Sequence, residues 1–366
     1  MSTHKAIATI SKGHFDVLDL STPSHLKDDD VLIKNEYASM IAFDTYVNDL
    51  AYYVSEFPVV FGFNGSGTVA QVGKGVSDLK KGDRVTAFTF QGNAAKSMQE
   101  YSLVSRATVS KIPASLSLAS AATIPDNFIT AFNTLFSPLY LGFPIPQSFP
   151  VSERPPLADA PILIYGAGST TGQYAIQLLK SAGYRNVIAT ASSRHHKYLQ
   201  ELGAKSVFDY SSPSLVEDIA RASSSSGGKV EFAVDCITAE GTLSTISKVV
   251  SSQGAVALLL PVKKGNKVRG GEGEEEMVMT LPDDSDLLPK GTKIVGVRTF
   301  LYLENEYLRD NLMTSILPEL LEAGIIQPNK VRLLDESVGS LKDRVATGLD
   351  LLRNNKVSGE KVVIKL

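Results

Sequence analysis

Cysteine is almost absent from this chain, with Cys236 standing alone. A single thiol excludes an internal disulfide framework and any zinc site built from cysteines. Cys236 lies within the apolar run Phe232-Ala233-Val234-Asp235-Cys236-Ile237, an expected strand, so it reads as a buried, inert thiol. Histidine is scarce as well, and the five at 4, 14, 25, 195 and 196 sit in no motif with ligand spacing. No apolar run approaches the length of a membrane span. The opening residues lack the apolar core of a secretory signal. No long basic block exists, and a net charge of −3 argues against nucleic acid as a main partner. The expectation is a cytoplasmic protein of a reducing compartment whose partner is a small molecule, with monomer and homodimer both left open.

What is present begins with length. The 366 residues are about twice a typical domain, so two domains are expected. Before residue 125, short strands (Val31 to Tyr37, Gly67 to Gly73, Asp83 to Phe88) alternate with glycine turns, the pattern of a β-rich, barrel-like domain. From residue 161 to about 300, strands alternate with helices, as in a parallel sheet covered on both faces. Further strands are expected at Asn186 to Thr190, Lys229 to Val234, Ala255 to Leu260 and Lys293 to Val297. The tail carries an expected helix, Tyr307 to Ala323, and a last strand, Lys361 to Ile364. Phe136 to Ala160 holds six prolines and reads as an irregular surface excursion between the domains. Lys263 to Glu276, basic first, then glycine-rich, then acidic, reads as a loop.

The most informative stretch is Pro161-Ile162-Leu163-Ile164-Tyr165-Gly166-Ala167-Gly168-Ser169-Thr170-Thr171-Gly172. An apolar strand runs into a glycine turn, and helical spacing follows from Gln173. Such a turn lets backbone approach a pyrophosphate, and the helix start offers N–H groups and a positive dipole end. Gly172 allows close packing of helix on strand. An NAD-preferring site places a carboxylate about twenty residues beyond the last glycine. Ser192 stands there instead, followed by Ser193, Arg194, His195 and His196. The local sequence offers no carboxylate to repel a 2′-phosphate, and it offers two hydroxyls and a guanidinium to bind one. The reading is NADPH; the competing one is a solvated loop that happens to be basic.

Several ordered stretches together resemble the medium-chain dehydrogenase/reductase superfamily. They are Pro58 to Val69, Leu79-Lys80-Lys81-Gly82-Asp83-Arg84-Val85, the glycine turn, Leu202 to Tyr210 and Val357-Ser358-Gly359-Glu360-Lys361-Val362-Val363. The tyrosine after Phe208-Asp209 and the Ser-Gly-Glu-Lys ending resemble the zinc-free branch, with its fungal trans-acting enoyl reductases and quinone oxidoreductase-like proteins. The resemblance implies an α/β protein: a Rossmann nucleotide-binding domain (doubly wound parallel sheet) over 126–300, joined to a GroES-like β-rich catalytic domain over 1–125 and 301–366. Zinc-dependent members carry Gly-His-Glu where this chain has Gly62-Phe63-Asn64, and Ser39 to Asp44 supplies no cysteine ligand. No metal is expected.

Carried over residue by residue, the resemblance places Gly168, Ser169, Thr170, Thr171 and Gly172 on the phosphates. Ser192, Ser193, Arg194, His195 and Tyr210 would lie near the adenosine 2′-phosphate. Ile41 to Asp44, Leu259, Leu260, Val357 and Ser358 would flank the nicotinamide, with Asn127, Thr130 and Ala131 opening the helix beside it. Without zinc, reducing a carbon–carbon double bond conjugated to a carbonyl asks less than reducing a ketone. Tyr46 and Tyr52 are the candidate proton donors, and Tyr53 and Asn127 the candidate substrate contacts. Fungal enoyl reductases often have Asp-x-Lys where this chain has Asp44-Thr45-Tyr46; Tyr52 has the spacing of the mitochondrial enoyl reductases' tyrosine. Taken singly, each tyrosine reads first as aromatic packing at a cleft edge and second as a proton donor. Three functions stay open: an NADPH-dependent reductase of enones, enoyl thioesters or polyketide-type substrates, an NADPH quinone oxidoreductase, and a non-catalytic cofactor-binding protein.

Overall fold

A computed structural model describes residues 2–263, 277–280 and 288–366, and the structural statements below refer to these. The loop expected from Lys263 to Glu276 lies outside them from residue 264 onward. The chain divides into two compact units, Met1–Asp126 with Leu303–Leu366, and Asn127–Tyr302.

The first unit opens with strands β1 (Thr3–Ser11), β2 (His14–Ser21) and β3 (Asp30–Met40), then helix α1 (Ala42–Leu50). Strands β4 (Val59–Val60), β5 (Asn64–Val72), β6 (Arg84–Phe88), β7 (Tyr101–Ser105) and β8 (Val109–Lys111) follow, then helix α2 (Leu118–Ala121); helix α3 (Pro125–Phe136) starts at the end of this stretch and lies mostly in the second unit. Alternation along the strands sorts the apolar side chains. Val31 and Ile33 of β3 bury against Val69, Val85, Val104 and Val109. Ala38 and Met40, further along the same strand, join Phe61 and Met98 in a second cluster. The hairpin of β1 and β2 was not among the expected elements.

The second unit contains β9 (Ile162–Tyr165), α4 (Thr170–Ser181), β10 (Val187–Thr190), α5 (His196–Leu202), β11 (Ser206–Phe208), α6 (Leu215–Ala222), β12 (Val230–Asp235), α7 (Glu240–Val249), β13 (Val250–Leu259), β14 (Val262–Lys263), β15 (Met277–Val278) and β16 (Lys293–Val297). Six of these strands form one sheet, ordered β11-β10-β9-β12-β13-β16, and neighbouring strands in it pair parallel. Counting only the strands of this sheet in chain order, the order is 3-2-1-4-5-6, the doubly wound arrangement whose order reverses beside the first strand. β9 is that strand, and Gly166 follows directly at its carboxyl end. Ligands of such sheets bind there, outside the strand ends.

The proline-rich segment differs from its expectation. It is irregular, but it belongs to the second unit, and several of its side chains are buried rather than superficial. Phe143 packs on Tyr184 and Phe232, each at 4.8 Å between ring centroids. The Tyr140 hydroxyl accepts the Arg298 N–H at 3.1 Å. Aromatic burial holds the segment where proline prevents regular pairing.

The chain then returns to the first unit through α8 (Glu306–Asn311), a π-turn at Leu312–Ile316, α9 (Leu317–Glu322), β17 (Lys330–Leu334), α10 (Leu341–Arg353) and β18 (Glu360–Lys365). The single helix expected over 307–323 is thus interrupted by a wider turn. Pro318 supplies the reason, because it has no N–H to give the carbonyl of Thr314. β18 pairs with β3, and the larger sheet of this unit runs β17-β18-β3-β5-β6-β8, with β7 also on β3. Val362 and Ile364 enter the core cluster of Ala38 and Met40.

Candidate active site

In the second unit the site begins at the turn between β9 and α4. Gly166 adopts φ +74°, where a side chain is strained. The Thr190 hydroxyl accepts its N–H at 3.0 Å, tying the turn to the end of β10. Ser169 caps the 12-residue helix by accepting the Gly172 N–H at 3.1 Å. A Cβ on Gly172 would lie 2.6 Å from Ala167 Cα, so only glycine allows the helix start to close on the turn. A dinucleotide's phosphates fit such a place: exposed turn backbone, a helix start and no acidic side chain within Gly166 to Gly172. Asn127 donates to the Thr171 hydroxyl at 2.9 Å, and the hydroxyls of Thr130 and Thr299 are 2.6 Å apart. Leu259 closes β13, and Leu260 follows it, both half-buried.

The basic loop lies directly beside this turn. A Cβ on Gly168 would meet the His195 ring at 3.3 Å, so Gly168 and His195 are neighbours, as expected for one binding surface. Arg194 is exposed, and its Nε donates to His195 Nε2 at 3.3 Å. One expectation is corrected here. A carboxylate is present: Asp209 accepts the Ser193 N–H at 3.1 Å. Parallel pairing sets Thr190 opposite Phe208, so the residues just past each strand end meet although they are distant in sequence. Hydrogen bonds from Ser211 and Ser193 hold the Asp209 carboxyl below its usual range. Tyr210, next in the chain, is exposed.

Two further groups in this unit were not picked out from the sequence as a pair. Asp235, buried at the end of β12, accepts N–H groups of Ile237 and Thr238 at 2.9 and 2.8 Å and the Thr242 hydroxyl. Burial pushes Lys263 down to about 8, against the attraction of Asp235. Cys236 stands just past the strand rather than within it. Burial first, then Asp235, pushes its thiol up to about 12, so it stays protonated and unreactive near neutrality.

In the first unit the expected tyrosines cluster with residues that no local motif marks. Phe43 packs edge-on against Tyr46, Tyr52 and Phe63, at centroid distances of 6.1, 5.9 and 5.5 Å. Tyr46 is buried, whereas Tyr52 is half-buried and Tyr53 exposed. The turn after α1 places Ala51 and Tyr53 in the left-handed region, φ 54° and 60°, uncommon for residues with side chains. Burial, then Tyr53, raises the Tyr52 pKa, so its phenol holds its proton more tightly. Ile41 and Asp44 lie at the start of α1, where the Asp44 carboxylate accepts the Ile41 N–H at 2.8 Å and the Gly62 N–H at 3.3 Å. Val357 and Ser358 precede β18.

Phe63 and Asn64 follow Gly62 where the resemblance places the His-Glu of zinc-dependent members. Asn64 Oδ1 accepts the Asp126 N–H at 2.7 Å, capping the start of α3. The Phe63 ring lies beneath the Lys96 ammonium, 3.1 Å from the ring centroid. Lys96 and a second buried pair, Lys361 with Asp126, are absent from the sequence reading. The two members of that pair are 235 positions apart, so no spacing motif could join them. Removing one member of a buried ion pair commonly costs about 3–5 kcal/mol.

A doubly wound nucleotide-binding unit with a glycine-rich phosphate turn, together with a GroES-like mixed β unit, defines a dehydrogenase/reductase architecture. The chain belongs to the medium-chain dehydrogenase/reductase superfamily. Residues 27–124 match the alcohol dehydrogenase GroES-like domain, and residues 170–306 match the zinc-binding dehydrogenase family. The chain is 30% identical to the trans-enoyl reductase himH of Aspergillus japonicus over 343 residues, 92% of this chain and 90% of that protein. It is 28% identical to the trans-enoyl reductase eqxC of Fusarium heterosporum, covering 92% of each. Among solved structures, the CurK enoyl reductase shares the fold with a TM-score of 0.75 at 18% identity, covering 99% of both chains. A quinone oxidoreductase of Pseudomonas syringae shares it with a TM-score of 0.74 at 20% identity, covering 99% of this chain and 100% of the other.

Proposed function

We propose that this chain is a zinc-independent, NADPH-dependent reductase of carbon–carbon double bonds conjugated to a carbonyl. The substrate class is an enone, an enoyl thioester or a polyketide-type intermediate. The observation that carries this reading is the state of Phe63 and Asn64. One presents an aromatic ring to a lysine, and the other gives its oxygen to a helix start, so neither is a metal ligand. Without a Lewis acid there, polarising a ketone or alcohol for hydride exchange is harder, and a conjugated alkene asks less of the protein. The names of the fungal relatives agree with this chemistry.

When bound, a reduced nicotinamide dinucleotide supplies a hydride to the substrate's β-carbon. Gly168 to Gly172 hold the phosphates, with Ser169 keeping the helix start in position. Ser192, Ser193, Arg194, His195 and Tyr210 take the adenosine 2′-phosphate. Asp209, which accepts hydrogen bonds from Ser193 and Ser211, fixes the loop's shape. Ile41, Asp44, Leu259, Leu260, Val357 and Ser358 flank the nicotinamide, Thr130 lies beside it, and Tyr53 and Asn127 contact substrate. Tyr52, with Tyr46 as the alternative, delivers the proton to the α-carbon.

One observation favours a quinone oxidoreductase instead. Burial makes Tyr52 a weaker acid than a free tyrosine, and hydride transfer to a quinone needs no dedicated proton donor at carbon. Measuring NADPH oxidation across a panel of enones, enoyl thioesters and quinones separates the two. Faster turnover of the activated alkenes supports the proposal, and turnover of quinones alone overturns it.

A further inference from the structure

Lys96 is the least expected side chain of the first unit. It is 6% exposed, in a segment with no regular secondary structure. Its place is nevertheless tightly fixed. Its carbonyl accepts from Gln99 Nε2 at 2.7 Å and from the Ser102 hydroxyl at 2.5 Å. The residues after it pair with the strand-like run that carries Phe63. Ser97 N donates to the Gly62 carbonyl at 3.2 Å, Met98 N to the Phe61 carbonyl at 2.9 Å, and the Ser97 hydroxyl to the Asn64 carbonyl at 2.7 Å. Two glycines permit this approach. A Cβ on Gly62 would fall 2.5 Å from Ser97 Oγ, and one on Gly65 would fall 2.7 Å from Ser97 Cβ. Glycine at 62 and 65 is therefore what brings Lys96 over the Phe63 ring.

The charges around it are few. Asp44 faces Lys96 from α1, and Asp126 and Lys361 act on Asp44 from the start of α3 and from β18. The four form two acids and two bases, all buried. Lys361 is joined to Asp126 directly. Asp44 gives its oxygens to the Ile41 and Gly62 amides. Among the described residues, Lys96 Nζ donates to no oxygen and lies within ion-pair distance of no carboxylate; it has the π-face of Phe63. A buried ammonium with three N–H donors and an aromatic floor is poised to receive an oxygen that becomes negative. The same ring, through Phe43, leads to Tyr52 and Tyr46.

We propose that Lys96 is the oxyanion-stabilising cation of this site, binding the substrate's carbonyl oxygen and holding the charge that a metal would otherwise hold. The inference rests on the reductase reading. As the new C–H bond forms at the β-carbon and the hydride donor's C–H bond breaks, the alkene's electron pair moves onto the carbonyl oxygen. The Lys96 ammonium stabilises that enolate through N–H donation, without giving up its proton. The electron pair then returns to form a C–H bond at the α-carbon with the proton from Tyr52. The cofactor is oxidised, the alkene is reduced, and the phenolate regains its proton from solvent. Burial lowers the lysine's pKa toward neutrality and Asp44 opposes this, so the charged form is lost as the pH rises through that lowered value. Activity should fall with it.

Lys96→Met and Lys96→Arg test this, with NADPH affinity and circular dichroism as controls for folding. In Lys96→Met, kcat for an enone should fall about 10²- to 10³-fold, the scale of losing an oxyanion donor, with NADPH affinity unchanged. The falling limb of the wild-type kcat–pH profile should vanish in Lys96→Met and move to higher pH in Lys96→Arg, which keeps more activity. Independently of turnover, ¹³C-ε lysine spectra of the cofactor-free protein should show, besides the lowered signals of Lys263 and Lys361, a further lysine titrating near neutrality that is absent in both variants. A folded Lys96→Met with wild-type kcat and pH profile overturns the inference while leaving the reductase reading intact. So does a Lys96 that titrates with the ordinary lysines, a result obtainable even if Lys96→Met does not fold. A wild type that reduces no activated alkene overturns both.

Discussion

Arg194 and Asp209 set opposite charges at neighbouring strand ends, and cofactor choice depends on which of them meets the adenosine ribose. Asp209 already accepts three hydrogen bonds from Ser193 and Ser211, and under the NADPH proposal the 2′-phosphate goes to Arg194, exposed beside His195. A charge-assisted hydrogen bond contributes roughly 1.5–3 kcal/mol. Arg194→Ala should therefore weaken NADPH about tenfold or more and leave NADH nearly unchanged, as read by fluorescence titration. Equal affinity of the wild type for the two cofactors would contradict the assignment. At the same scale, Tyr52→Phe should lower kcat about 10²-fold while NADPH affinity holds, the usual range for general acid catalysis. A comparable loss confined to Tyr46→Phe would move the proton donor to Tyr46. Arg194 and the tyrosines were legible because hydroxyls, guanidinium and phenols stand close together in the chain. Asp209 as a neighbour of Ser193, and Lys96 as a neighbour of Phe63, were not. Both contacts depend on pairing between strands or segments distant in sequence.

Among the elements, the β9–α4 unit follows most directly from its sequence. Ile162 to Tyr165 are wholly apolar and buried, Ser169 is a good helix cap, and glycine is required at 172. Gly172→Ala tests the close packing. In an open helix alanine would gain about 1 kcal/mol over glycine. Here its Cβ meets Ala167 Cα at 2.6 Å and Ala167 O at 2.9 Å, both backbone atoms that cannot rotate away. The expected outcome is a lower melting temperature and weaker NADPH binding; a rise in melting temperature would show that the turn can relax. Elsewhere the pattern was less informative. β16 falls on its expected residues, Lys293 to Val297. By contrast β17 and α10 were missed in the tail, and the helix after residue 305 is divided by its π-turn. Periodicity reports which face is buried, but a proline's effect on the turn before it is a matter of individual hydrogen bonds. Phe143 and Tyr140 illustrate the reverse case, where proline-rich sequence conceals side chains with specific buried partners.

For the molecule as a whole, the parallel sheet and the β-rich unit were readable from alternation and glycine turns, and their doubly wound and GroES-like types from the family resemblance, whereas the order of the strands was not called. The buried charges of the first unit were not readable, because they are assembled from α1, the 96–98 segment, the start of α3 and β18. The proposed metal independence concerns the whole protein and can be checked directly. Tag-free protein should contain no stoichiometric zinc by elemental analysis, and chelators should leave turnover unchanged; one zinc per chain would contradict the roles given to Phe63 and Asn64. The central claim concerns which bond is reduced. Its most direct test is product analysis after turnover of an enone or enoyl thioester with deuterium-labelled NADPH, and again with unlabelled NADPH in D₂O. The account predicts a saturated carbonyl product with the cofactor's deuterium on the β-carbon and solvent deuterium on the α-carbon. An unsaturated alcohol with the cofactor's deuterium on the former carbonyl carbon would contradict it.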